Sequence, residues 1–407
     1  MNNLLKRRNL DSIELRVLLH ELIGGTGQSD DLGRAKPRNF YIPLAGPSCR
    51  VVLTFDGKKV IDIKPGEASD AAQWQQINNE IEHSILAGHT KVGREYSFSG
   101  RRVKGSWRGE HSGVQILPPP ADAPSAPLDQ ADHPFILEFP LMVSSVDALT
   151  NYRRSRKHRN LTLLLNVLLI GGAKSMEFRH PSSWAHEATD LSQKSKWVTQ
   201  GFSAPLGALL IDQLSVPAAH KLEELAPEEY DAMLGNDGEG LRVPSDLDQS
   251  IWSYGALSAP NREKFDRAAF WFGTASGMRD VSVSASFAAF VSAIESLTAR
   301  GTAHNFKFCP VCGRPGTHVV QGPTKLFRNF LATYAPDASL AKDRNRVYHL
   351  RSDILHGSDL MEIDQIVPIK GWTPTGFKED ELYNGMWRVT RTALRNWLKS
   401  PPSPSEE

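Results

Sequence analysis

Residues 281–300, VSVSASFAAFVSAIESLTAR, decide the architecture of the last third of the chain. Phe287, Phe290, Val291, Ile294 and Leu297 recur at steps of three and four, so at about 100° per residue they share one helical face. A helix with one apolar stripe must bury it against another element, and the flanking sequence supplies partners of the same kind. Upstream, Asn261 is the expected cap of a helix carrying Phe265, Ala269 and Phe272. Downstream, Pro323 opens a helix over 323–334 with Leu326, Phe327, Phe330 and Leu331. A fourth helix is expected over 338–356, stopped by Gly357. A fifth, over 377–399, buries Leu382, Met386, Val389 and Trp397. Residues 257–399 therefore read as an all-α domain, and 400–407 as a disordered tail.

The whole chain has 407 residues, room for two or three domains at about 150 residues each. Hydrophobic residues at 40% and charged residues at 23% match folded globular chains and exclude the disordered and fibrous classes. Lys plus Arg number 47 against 46 Asp plus Glu, so the net charge of +1 creates no global basic field. Any nucleic-acid contact must then come from a local patch. Three cysteines cannot build a disulfide framework, which points to a reducing compartment and a cytoplasmic location. The opening MNNLLKRRNLDSIELRVLLHELIGG mixes charges into its apolar positions and does not read as a signal peptide. The most apolar run, LTLLLNVLLI at 161–170, is half the length of a membrane span of about 20 residues. It reads as a buried strand or core helix, with no membrane partner.

Ahead of the helical domain the expectation is an α+β multidomain chain. Residues 1–117 form a β-containing region, because RVVLTFDGKKVIDIKP at 50–65 places β-branched runs around an Asp-Gly turn. Residues 118–132 hold PPPADAPSAP and read as a Pro-rich linker. Residues 133–256 read as mixed α/β, with FILEFPLMV at 135–143 and LTLLLNVLLIGG at 161–172 as strands or buried segments and loops beyond. No repeat of 20 to 50 residues is present. No GxxxxGK[ST], GxGxxG or GxSxG pattern occurs either, which leaves nucleotide-loop and serine-hydrolase chemistry unsupported.

DRNRVYHLRSDILHG at 343–357 carries two overlapping Arg-x4-His windows, Arg351 with His356 and Arg344 with His349. Within each pair the residues diverge by roughly 140° around a helix. Between windows the offset is only about 20°, so one helix bears an arginine stripe and a histidine stripe. These residue types suit RNA cleavage by the ribose 2'-hydroxyl. Imidazole titrates near physiological pH and takes the hydroxyl proton. Guanidinium stays charged and offers a planar fork to the non-bridging oxygens of the phosphorane. On spacing alone, a solvated arginine and a capping histidine give the same pattern. Glu295, inside the apolar AIESL, is costly to bury unpaired, so either an arginine such as Arg351 partners it or it lies at the rim in water. Tyr348 and Asp353, beside the motif, are expected at the surface.

The succession FDRAAFWFGTASGMRDVSVSASFAAFVSAIESL, CPVCG, PTKLFRNFLATYAP and VYHLRSDILHG resembles the C-terminal region of HEPN-domain proteins, in their Apea-like branch. The resemblance covers about 258–399. It implies a HEPN helical bundle that forms a homodimer, sets an Arg-x4-6-His motif from each subunit in a shared cleft, and in active members cleaves RNA as a metal-independent endoribonuclease. By position Arg351 looks like the phosphate-contacting arginine and His356 like the catalytic histidine, because RSDILHG ends with the helix-stopping glycine. Ser352 departs from the Asn, Asp or His of many active members. RNRVYH has Asn345 in that place but no following glycine, so Arg344 and His349 are the second choice. By analogy the family implies antiphage or stress defence, with the first 256 residues sensing a protein or nucleic-acid trigger or gating the cleft. A non-catalytic HEPN module that binds RNA or dimerises as a scaffold is the alternative.

Two further patterns stand outside the windows. Cys309-Pro310-Val311-Cys312-Gly313 is a knuckle that aims two thiolates at one zinc, a structural role with no part in catalysis. His304 and His318 complete a four-ligand set, or two knuckles meet across a dimer, or the knuckle has lost its metal. YRRSRKHR at 152–159 sets Arg153, Arg154, Arg156, Lys157 and Arg159 beside an aromatic, the composition of an RNA-binding patch and equally of a solvated loop.

Overall fold

In the computed structural model of the chain, the two runs on either side of Asp-Gly pair as the antiparallel hairpin expected of them. The structure describes residues 12–23, 28–29, 38–43, 50–56, 59–65, 72, 74–75, 79, 83, 89–120, 133–175, 184–187, 196–199, 208–233, 240–279, 281–298, 303–306, 308, 313–319, 322–336, 344–365 and 374–402. Helix α1 (Ser12–Ile23) precedes strands β1 (Gln28–Ser29), β2 (Arg38–Pro43), β3 (Arg50–Asp56) and β4 (Lys59–Pro65), which form an antiparallel sheet of order β1-β2-β3-β4. In the β3–β4 hairpin Asp56 faces Lys59, and a register shift between Thr54 and Phe55 marks a bulge.

Next come β5 (Thr90–Ser99), β6 (Trp107–Arg108), β7 (Gln115–Leu117) and β8 (His133–Met142), then helix α2 (Asp147–Leu168). Short strands follow: β9 (Lys174–Ser175), β10 (Trp184–Glu187), β11 (Lys196–Thr199) and β12 (Leu210–Ile211). The largest sheet has the order β12-β5-β8-β7-β6, with β9 also on β5. FILEFPLMV is the buried strand expected of it, within β8. The run 161–170 is not a strand. It forms the end of α2, whose first half is the basic run. A short apolar run buried on all sides has no diagnostic period, and the preceding 14 residues settle the choice by continuing the helix to 22 residues.

The remaining elements are β13 (Glu224–Leu225), α3 (Pro227–Ala232), β14 (Val243–Pro244), α4 (Leu247–Ala256), α5 (Ala259–Met278), α6 (Val283–Leu297), β15 (Ala303–Phe306), β16 (Gly316–Val319), α7 (Pro323–Tyr334), α8 (Arg344–Leu355), α9 (Glu362–Gln365) and α10 (Pro374–Lys399). The chain is thus mixed α/β with a helical C-terminal region. Helix α4 lies immediately ahead of residue 257, where the helical domain was expected to begin. Ser258, not Asn261, caps α5, its hydroxyl accepting from the Asn261 N–H at 3.4 Å. Ser282 caps α6 in the same way. At the head of the expected tail, the Ser400 and Pro402 carbonyls accept from Tyr334 Oη at 3.4 Å and Asn261 Nδ2 at 3.2 Å. Residues 121–132 and 403–407, most of the expected linker and tail, lie outside the described residues.

Contacts sort the chain into two compact units. The first holds Met1–Glu95, Glu138–Arg159 and Leu206–Ser215. Within it the fully buried Glu138 is satisfied by Ser215, through its N–H at 2.9 Å and its hydroxyl at 2.5 Å, and by Arg94 Nε at 3.2 Å. Burial, helped by the neighbouring Arg154 charge, pushes the His158 imidazole down to about 4, and its ring stacks on Phe139 at 6.3 Å.

The second unit holds Tyr96–Leu137, Asn160–Pro205 and Val216–Glu407. Its helical core is aromatic: Phe265 stacks on Trp397 at 6.0 Å, Phe272 meets Phe290 at 5.5 Å, and Phe290 meets Tyr383 edge-on at 5.7 Å. Arg391 is buried beneath this core. Its guanidinium donates to the Val167 and Leu168 carbonyls at the end of α2, at 3.0 and 2.7 Å, and to Asp231 at 2.6 Å. It thereby satisfies carbonyls that the helix terminus leaves open. No helix of the described residues is long and apolar enough to cross a membrane.

Candidate functional site

The site builds from Glu295, in the last turn of α6. A carboxylate there opposes the negative end of the helix dipole and needs a cation nearby. Helix α8 packs against α6 and α7 and supplies one. Arg351 Nη2 donates to Glu295 Oε2 at 2.9 Å, with the two side chains 23% and 26% exposed. Tyr348, one turn earlier on α8, donates its hydroxyl to Glu295 Oε1 at 3.1 Å. Its ring lies 5.4 Å from that of Phe327 on α7 and 5.9 Å below the Arg351 guanidinium. Burial raises the Tyr348 phenol above its usual range, and the Glu295 charge and hydrogen bond add to this, so it remains a proton donor.

Tyr348 is therefore not the surface residue the sequence led us to expect. Three residues before Arg351, it lies on the same helical face and follows the arginine into the packing. That spacing was the available signal. Arg351 Nε is buried with no hydrogen-bond partner among the described residues, so the guanidinium keeps donors uncommitted.

His356 sits where α8 ends. Its N–H still donates to Ser352 O at 2.9 Å, and Gly357 takes φ +71°, the left-handed turn expected there. The Gly357 and Ser358 N–H groups close the end on Ile354 and Asp353 carbonyls at 3.1 and 2.9 Å. The His356 side chain is exposed and has no hydrogen-bond partner among the described residues. The segment beyond is anchored: Met361 is fully buried, its N–H donating to Ser284 Oγ at 2.8 Å. Asp364 accepts from the Val283 and Ser284 N–H groups at 2.9 and 2.7 Å and from Ser282 Oγ at 2.8 Å. Partial burial works to raise the Asp364 carboxyl, but these hydrogen bonds outweigh it and hold the group below its usual range. No local sequence pattern announces this anchor, because its halves are some 80 residues apart.

In the second window His349 is exposed mid-helix and Arg344 opens α8. The structure brings Arg351, Glu295 and Tyr348 into contact and does not bring His349 to them. In the basic run, Arg153 donates to Glu14 at 2.8 Å, Arg154 to Glu95 at 2.7 Å, and Arg156 lies 4.0 Å from Glu14. Lys157 and Arg159 are exposed on the same helix. Cys309 and Cys312 lie outside the described residues, while His304 and His318 face each other across the β15–β16 ladder. Among the described residues no group of three or more His, Cys, Asp or Glu forms a metal cluster. A cavity of about 360 Å³ lined by Lys104, His220, Lys221, Glu223 and Arg242 also lies in the second unit. No family model, curated protein or solved structure matches the chain.

Proposed function

We propose that the chain is a metal-independent endoribonuclease of the HEPN type, acting as a homodimer on RNA. One observation carries this reading: Arg351 is held by Glu295 and Tyr348 five residues before a histidine exposed at a glycine-terminated helix end. Glu295 and Tyr348 orient the guanidinium, whose remaining donors receive the scissile phosphate as negative charge develops. His356 takes the proton from the attacking 2'-hydroxyl, and the 5'-oxygen leaves with a proton returned by an imidazole. Arg351 and His356 of one chain diverge by roughly 140° around α8. A second copy contributes its own pair to close one cleft over the phosphate. By the same analogy the remaining regions sense a trigger in antiphage or stress defence in the cytoplasm, and the exposed Lys157 and Arg159 of the basic run on α2 contact RNA.

The second reading is a HEPN scaffold that binds RNA without cutting it. The Arg351–Glu295 ion pair favours it, because a carboxylate at 2.9 Å already neutralises the cation. Purified protein incubated with labelled single-stranded RNA and EDTA separates the two. An enzyme loses roughly 10²- to 10⁴-fold in rate in His356→Ala and about as much in Arg351→Ala. Cleavage unchanged in both variants moves the site elsewhere, and binding without cleavage establishes the scaffold.

A further inference from the structure

The cleft of about 360 Å³ in the second unit is framed by three backbone segments far apart in sequence. Residues 102–106 pair in parallel with both of the others, through Arg102 with Gly240 and through Ser106 with Lys221. The Leu241 N–H donates to the Arg102 carbonyl at 2.7 Å, the Ser106 N–H to His220 O at 2.9 Å and the Leu222 N–H to Ser106 O at 2.9 Å. The other two segments close on each other, with the Val243 N–H donating to Glu223 O at 3.0 Å and the Ser245 N–H to Leu225 O at 2.8 Å. A Cβ on Gly105 would stand 2.8 Å from the Lys221 backbone, so only glycine allows this approach. The core holds the frame as well. Fully buried Tyr230 donates its hydroxyl to the Arg242 carbonyl at 3.2 Å, accepts from the Ile170 N–H at 2.7 Å and has the Arg391 guanidinium 5.3 Å from its ring.

On this frame the cleft presents Lys104, His220, Lys221 and Arg242, with Glu223 as the one carboxylate among its lining residues. Three cations against one carboxylate leave a balance of +2. Arg242 Nε lies 2.8 Å from Glu223 Oε2, and its Nη2 makes no hydrogen bond among the described residues. The His220 and Lys221 side chains are exposed and have no hydrogen bond or ion pair among the described residues. We propose that the cleft binds a small phosphate monoester, with Lys221 and Arg242 donating to the phosphate oxygens and His220 adding a ring N–H. The charge selects this class. A phosphate monoester carries about −1.5 to −2 at neutral pH, which meets the balance of the cleft, whereas a lone carboxylate or a phosphodiester brings a single charge. An ammonium and a planar guanidinium are the donors suited to its oxygens. The volume selects an ester over the bare ion. It falls at the low end of the roughly 300–1,000 Å³ of small-molecule sites, room for an organic body beside the phosphate, and the buried Leu222 and Leu241 give that body an apolar wall. The site shares no residue with the Arg351, Glu295 and Tyr348 cluster, so it stands whether or not the chain cleaves RNA.

Isothermal titration calorimetry of the full-length chain with adenosine 5'-monophosphate, ribose 5-phosphate, inorganic phosphate and adenosine tests the assignment. Both esters are expected to fill a single site, inorganic phosphate to bind more weakly and adenosine not to bind. Lys221→Gln and Arg242→Gln should each weaken adenosine monophosphate by roughly 3- to 10-fold, between an exposed ion pair and a charged hydrogen bond. Arg267→Gln, exposed on α5, should leave the affinity unchanged. Lys221 is exposed and unpaired, so its variant keeps the fold and remains decisive should the Arg242 variant not fold. Absence of saturable binding by both esters at millimolar concentration overturns the proposal. So does inorganic phosphate as tight as the esters, adenosine as tight as its monophosphate, or an ester affinity untouched in both variants. Competition by an uncleavable 2'-O-methyl oligonucleotide identifies the source of the phosphate. Displacement by the 5'-phosphorylated form alone assigns an RNA end, and displacement by neither form assigns a free metabolite. Displacement by the 5'-hydroxyl form as well overturns the monoester in favour of the phosphodiester backbone.

Discussion

Tyr348 and Arg351 grip opposite oxygens of one carboxylate, the phenol on Glu295 Oε1 at 3.1 Å and the guanidinium on Oε2 at 2.9 Å. Being three residues apart on α8, they also touch each other, with the cation 5.9 Å from the ring centroid. The three side chains therefore respond as a unit. Glu295 is a partly buried charge in need of both donors, and Arg351 has no second carboxylate among the described residues to fall back on.

Glu295→Gln removes the charge and leaves an amide oxygen for the phenol, and Tyr348→Phe removes one donor. Each should cost about 1 kcal/mol, below the roughly 1.5–3 kcal/mol of hydrogen bonds to charged groups, because water screens side chains that are about a quarter exposed. The double variant should lose at least about 0.5 kcal/mol less than the sum. Urea denaturation of the four proteins measures this cycle. Additive losses would mean that the phenol and the carboxylate act separately.

Gly357 ends α8 at φ +71° with no atom within 4 Å of where a Cβ would stand. Gly357→Ala therefore carries only the left-handed backbone penalty, roughly 1 kcal/mol, and no clash. Gly357→Asn should recover part of that loss, since asparagine tolerates this conformation. A midpoint for the alanine variant equal to that of the unaltered chain would show that the end of α8 rearranges at no cost.

The helical third of the chain was legible because its apolar residues repeat every three to four positions and Pro323 and Gly357 punctuate it. Helices α6 and α7 and the end of α8 fall where that pattern places them. The Glu295–Arg351 contact is one of the two outcomes the sequence left open for a charge in an apolar helix, and the structure shows that one. Other features resist such reading. The run 161–170 is buried all round and has no period, so strand and helix looked alike until the helix through the basic residues was seen. Asp364 is tied to Val283 and Ser284, and Arg391 to Val167 and Leu168, by polar contacts between segments some 80 and 220 residues apart. No window of sequence contains both ends of such a bond. Arg153 and Arg154 looked like a phosphate patch because the carboxylates that meet them, Glu14 and Glu95, lie far away in the sequence.

Arg391 is the strongest test of what holds α10 in place. It is 3% exposed, donates to two helix-end carbonyls and Asp231, and lies 5.3 and 5.7 Å from the ring centroids of Tyr230 and Trp387. Arg391→Ala leaves the carbonyls without this donor, frees half of the Asp231 contact and opens a cavity. The expected loss is about 3–5 kcal/mol. Arg391→Lys keeps the charge but has no planar fork, and should recover only part of it. Near-native stability of the alanine variant in calorimetry would mean that water replaces the guanidinium.

His158 makes the stability of the first unit depend on pH. Its folded-state value of about 4 lies below the ordinary 6.5, because burial and the Arg154 charge disfavour the cation. The unfolded chain therefore binds the proton more readily than the folded one. Stability from this residue is complete above pH 6.5, falls as pH drops toward 4, and levels off below that. The gap corresponds to roughly 3 kcal/mol. His158→Gln cannot be protonated, so it should lose some stability at pH 7 and lose less than the unaltered chain on acidification to pH 4.5. Urea midpoints at those two pH values read the difference directly. Parallel acid losses in both proteins would place the sensitivity in other groups and remove His158 from the account.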